Sequence, residues 1–85
     1  MSKFEFYDRF EELEGEKGIK AGDKRIEKLV DSSETCLGHR IVEDRNYHIF
    51  YLNSSRFALY YHGGGVDAMY STPSLDEMLD YVNSL

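Results

Sequence analysis

Hydrophobic positions along the chain change period twice. Phe6, Phe10 and Leu13 fall at i, i+4 and i+7, so they share one helical face. Ser2 followed by Glu5 three residues later forms a capping box, and Gly15 is a natural stop. The spacing therefore predicts a short amino-terminal helix. A strand through Phe4-Glu5-Phe6, which alternates, competes with it.

Gly15, Gly18 and Gly22 mark residues 15–23 as a loop. Asp23 can cap a second short helix through Val30, because Ile26, Leu29 and Val30 have helical spacing. Residues 24–30 also read as a strand, and that alternative stays open.

The middle of the chain is β. Thr35–Glu43, Tyr47–Leu52, Phe57–His62 and Val66–Tyr70 are short and rich in aromatic and β-branched residues. The turns between them are Asp44-Arg45-Asn46, Asn53-Ser54-Ser55 and Gly63-Gly64-Gly65. Links this short join antiparallel neighbours, hence a meander. A three-residue loop at 53–55 aligns Tyr47, Ile49 and Tyr51 with Phe57, Leu59 and Tyr61. A two- or four-residue loop aligns Phe50 and Leu52 with Phe57 and Leu59 instead.

At the carboxyl end Pro73 breaks the last strand and Ser74 caps a helix, with Glu77 completing a second capping box. Leu75, Met78, Leu79, Val82 and Leu85 form its apolar stripe. The expected fold is α+β. A four-stranded antiparallel meander is packed by a C-terminal helix, with one or two short helices before it.

The central strands are apolar on both faces, more than one helix of about ten residues covers. Either the amino-terminal helix covers the second face, or that face binds a partner or a second copy of the chain. Seven tyrosines in 85 residues suit an interface, since tyrosine joins a large contact area to a polar tip.

Length and charge narrow the function. Eighty-five residues make one domain, 1–85. Ten basic against sixteen acidic residues give a net charge of −6, which disfavours direct nucleic-acid binding through phosphates. The charge is uneven: −4 over residues 1–16, +3 over 17–30, −1 over 31–62 and −4 over 63–85. No apolar run approaches the roughly 18 residues of a membrane span, and nothing after Met1 reads as a signal peptide. The single cysteine, Cys36, cannot close an internal disulfide, which places the protein in the cytoplasm.

Candidate chemistry is sparse. His62-Gly63-Gly64-Gly65 is similar to the oxyanion-hole motif of esterases, but no Gly-x-Ser-x-Gly accompanies it, so it reads as a hairpin turn. Cys36-x-x-His39 with His48 and His62 offers four zinc ligands. In a regular strand, however, Cys36 and His39 point to opposite faces. No metal, cofactor or catalytic residue is therefore expected. Carboxylate pairs such as Glu43 and Asp44 sit in polar runs, where acid–base chemistry lacks a buried partner.

The acidic faces remain. Glu11, Glu12, Glu14 and Glu16 close the first helix, and Asp76, Glu77 and Asp80 lie on the last. If the two ends pack together they make one negative surface, able to engage the basic groove of a nucleic-acid enzyme. Tyr7 and Tyr81 are the expected anchors beside it. In size, acidity and lack of catalytic motifs the chain resembles the small inhibitor proteins of phages and mobile elements, anti-CRISPR and anti-restriction proteins among them. The resemblance implies a stoichiometric, non-enzymatic inhibitor or regulator of a protein with a basic surface. The alternative is a homodimeric structural or accessory module using the apolar, tyrosine-rich sheet face.

Overall fold

In the computed structural model residues 3–31, 34–65 and 67–85 are described. Their elements run β1 (Glu5–Phe6), a 3-10 helix (Asp8–Leu13), α1 (Lys24–Glu27), β2 (Glu34–Val42), β3 (Arg45–Leu52), β4 (Arg56–Tyr61), β5 (Tyr70–Thr72) and α2 (Leu75–Asn83). The strands form one antiparallel sheet whose spatial order is the chain order, β1-β2-β3-β4-β5. The fold is α+β, with five strands rather than the expected four.

The extra strand comes from the amino end. Glu5 and Phe6 pair with His39 and Gly38 on β2, so the Phe4-Glu5-Phe6 alternation prevails over helical spacing. Phe4 and Phe6 then point the same way and meet edge to face, with centroids 5.1 Å apart. Phe10 and Leu13, three apart, are both buried in a 3-10 helix, where i and i+3 eclipse. The expected cap at Ser2 lies outside the described residues.

Gly38 makes β1 possible. A Cβ placed there would lie 2.1 Å from the Glu5 carbonyl oxygen, so only glycine lets the two backbones approach.

The β2–β3 turn is Glu43-Asp44, not Asp44-Arg45-Asn46. Glu43 adopts the left-handed conformation (φ 58°), which lets two residues reverse the chain. The three-residue loop Asn53-Ser54-Ser55 sets the next register: Tyr47 faces Tyr61, Ile49 faces Leu59 and Tyr51 faces Phe57. The last strand is Tyr70–Thr72, later than Val66–Tyr70. Val66 lies outside the described residues, and Tyr70, Ser71 and Thr72 are the residues that match Leu59, Ala58 and Phe57.

Asp23 caps α1 as expected, its side chain accepting the Arg25 N–H, but the helix is one turn long and ends before Val30. Ser74 caps α2 by accepting the Glu77 N–H at 3.3 Å. The Glu77 carboxylate does not close the expected box. It accepts the Thr72 hydroxyl at 2.7 Å, and Thr72 Oγ1 accepts the Ser74 N–H at 3.2 Å, so strand and helix are joined through one hydroxyl.

All the helical segments pack on one face. Phe10 and Leu13 of the 3-10 helix, Ile26 of α1, and Leu75, Met78 and Val82 of α2 share a core with Ile49, Tyr51, Phe57 and Leu59 of the sheet. Among the described residues the amino-terminal segment therefore places no helix on the second face. No helix of the described residues is long and apolar enough to cross a membrane.

Candidate functional site

The helix-free face is built by alternation. On β3, Tyr47, Ile49 and Tyr51 enter the core, so Asn46, His48, Phe50 and Leu52 point to the other side. Their cross-strand partners follow by register: Ile41 faces Asn46, His39 and Tyr60 flank His48, and Cys36 and Ala58 flank Phe50. Leu52 and Ala58 are buried yet lie outside the main core. Phe50 and Tyr60 meet edge to face with centroids 5.4 Å apart. Ile41 is 51% exposed and Tyr7 39%.

All three histidines of the chain stand in one row across this face. The His39 and His48 rings are 6.4 Å apart, and His48 and His62 6.3 Å. Tyr7 reaches the outer end of the row, its hydroxyl 3.4 Å from His39 Nδ1.

A β-bulge completes the row. Register shifts between Cys36, opposite Phe50, and Gly38, opposite Ile49, so Leu37 is an extra residue on β2. The bulge overturns the expectation that Cys36 and His39 face opposite ways. Both lie on the open face, and Cys36 Sγ is 3.9 Å from His48 Nδ1. Burial pushes the Cys36 thiol up from its ordinary range, against the opposing hydrogen bonds to Gly38 and Tyr7. A thiol held protonated is a poor nucleophile. Burial also lowers the His48 pKa, and the neighbouring His39 and His62 charges lower it further. Among the described residues no three His, Cys, Asp or Glu side chains come close enough to hold a metal ion.

The predicted acidic site is divided. The ends do pack together: Glu16, Lys17, Asp76, Leu79 and Asp80 line a shallow groove of about 240 Å³. Several of its acids, however, serve the fold. Asp76 accepts the Gly18 N–H at 2.8 Å, Glu12 pairs with Lys28 at 2.9 Å, and Glu77 holds Thr72. Glu16 lies 4.0 Å from Arg25. Tyr81 is stacked on Tyr70, centroids 4.2 Å apart, and is no free anchor. Tyr7 stands beside His39, in a groove it shares with Glu5, Asp8 and Arg9. Glu11, Glu14 and Asp80 remain exposed and carry no ion pair among the described residues.

Charge is thus segregated by face. Of sixteen acids only Glu5 and Glu34 lie in strands. The helical segments, residues 8–31 and 73–85, hold eleven acids against six bases. The histidine row was missed in the sequence because the two-residue turn Glu43-Asp44, not the expected Asp44-Arg45-Asn46, sets His39 opposite His48. The parity of His48 and Phe50 on β3 was the one readable signal.

No protein-family model matches the chain, and no curated protein or solved structure is found similar to it.

Proposed function

We propose that the chain is a non-catalytic binding protein of the cytoplasm that pairs with a second copy of itself through the open sheet face. The outward acidic layers of the pair act as a stoichiometric inhibitor or regulator of a protein with a basic surface. The observation that carries this reading is the charge segregation. A chain of net charge −6 repels its copies, but face-to-face pairing puts the helical acids on opposite outer sides. It brings together Ile41, Phe50, Tyr60 and Tyr7, the apolar and tyrosyl groups an interface core uses. The molecule measures 34 × 27 × 21 Å, and a face bounded by its two longer axes has room for the roughly 800 Å² per partner of a standard interface.

The test is sedimentation velocity at micromolar concentration on the wild type and on Ile41→Glu. Ile41 is exposed, so the fold tolerates the change, while a carboxylate in an apposed apolar face is costly. A wild-type dimer that becomes monomeric in the variant supports the reading. A wild-type monomer, or a dimer indifferent to Ile41→Glu, overturns the pairing. For the regulatory half, a basic partner should bind more weakly as salt rises and to Glu14→Lys/Asp80→Lys. Binding indifferent to both would leave the acidic layers without that role.

A further inference from the structure

We propose that the histidine row makes the pairing of two copies acid-sensitive: the faces dock at neutral pH and separate as the imidazoles take up protons. The inference rests on the dimer reading above and adds its regulation.

The geometry carries it. His39, His48 and His62 cross three adjacent strand positions with ring separations of 6.4 and 6.3 Å, in the middle of the face that would be covered. Among the described residues no helix lies over the row, and the groups beside it come from the sheet and from the start of the 3-10 helix. Among the described residues Glu5 is the carboxylate paired with the row, its Oε2 3.9 Å from His39 Nε2 and its side chain largely in solvent, and Asp8 and Arg9 line the same groove as His39. Tyr7, Cys36 and Tyr60 are further titratable neighbours, and burial pushes the Tyr7 hydroxyl and the Cys36 thiol up, away from the charged form. Glu34 and Arg56 lie farther along the face, each opposite Leu52. Two exposed carboxylates with Arg9 beside them cannot offset three imidazolium charges, and a second copy brings three more.

The sign follows from linkage. A histidine that must stay neutral in the dimer has a lower pKa there than in the free chain. Above the free-chain value pairing is unaffected; below it the monomer takes up protons that the dimer refuses, and pairing weakens. For an imidazole of ordinary pKa near 6.5, going from pH 7.5 to 5.5 weakens pairing by about tenfold per histidine excluded from protonation. Burial already lowers the affinity of His48 for protons in the single chain.

The experiment measures the dimer dissociation constant by sedimentation at pH 7.5 and 5.5, with circular dichroism to show that the fold persists at both. The expected result is a rise of about tenfold or more in the wild type and under about twofold in His39→Gln/His48→Gln/His62→Gln. An unchanged wild-type constant, or an equal rise in wild type and variant, overturns the acid sensitivity and leaves the dimer standing. A wild type already monomeric at pH 7.5 overturns the dimer and this inference with it. If the triple variant fails to fold, NMR titration of the wild-type imidazoles below and above the dissociation constant decides instead. Midpoints lower at the higher concentration support the proposal; coincident midpoints refute it.

Discussion

Arg40 Nη1 donates to the Val82 carbonyl at 2.7 Å and to that of Leu85 at 3.2 Å, so a strand side chain closes the carboxyl end of α2. The last turn of α2 has no basic residue of its own, and the Arg40 guanidinium supplies the positive charge that a helix C-terminus favours. Arg40 is only 5% exposed. We expect Arg40→Met to lower unfolding free energy in urea by about 2–3 kcal/mol, since carbonyls bonded to a buried charge lose their donor. Arg40→Lys should recover part of the loss, having one compact donor group where the guanidinium has a fork.

The Tyr51 hydroxyl accepts the Gly22 N–H at 2.7 Å and donates to Glu27, which also accepts from Ser54. One ring from the core thereby fastens the loop before α1 and α1 itself. Tyr51→Phe keeps the ring and removes both bonds. The expected cost is about 1–2 kcal/mol in chemical denaturation, with faster amide exchange at Gly22.

Gly38→Ala should detach β1. The new methyl would meet the Glu5 carbonyl and the Phe4 ring edge, so the edge strand must move off β2. A destabilisation of about 3 kcal/mol is expected, with loss of exchange protection at Tyr7, whose N–H bonds the Leu37 carbonyl.

Asp23 is held from its ordinary 3.8 down to about 2, first by the Arg25 side chain and then by the Arg25 backbone N–H. A carboxyl depressed on folding adds stability above its unfolded pKa and loses it as pH falls toward the folded value. Thermal unfolding midpoints should therefore drop between about pH 4 and pH 2, and Asp23→Asn should flatten that drop. Glu27, lowered by Tyr51 and Ser54, adds to the same slope and should leave a residual pH dependence.

The acids sort by a simple stability measurement. Glu14→Lys/Asp80→Lys removes no ion pair seen among the described residues and should change unfolding free energy by less than about 0.5 kcal/mol. Asp76→Lys breaks the bond to the Gly18 N–H and should destabilise the chain measurably. Equal effects would mean that the division between docking and structural acids is wrong.

The residues themselves show why parts of this fold were legible and others not. Ser74, Pro73 and the Leu75–Val82 stripe announce α2 because capping and periodicity act within a few residues. The register of β3 on β4 follows from a loop of three polar residues. By contrast β1 is two residues long, and its pairing depends on Gly38, more than thirty positions away. The bulge at Leu37 is marked only by Gly38 inside the strand run, yet it moves Cys36 onto the face of His39. The acids looked equivalent in sequence; only tertiary proximity assigns Glu12 to Lys28 and Asp76 to Gly18.

Strand order equal to chain order also sets a folding sequence. The β2–β3, β3–β4 and β4–β5 pairings close loops of two, three and eight residues, so their entropic barriers are small and they form early. Arg40–Val82 and the Phe4 N–H to Asn83 bond join positions 42 and 79 apart and come last. Mutations at those two joints should therefore speed unfolding and hardly touch the folding rate, so the chain's lifetime in the native state and its speed of reaching it are set by different residues.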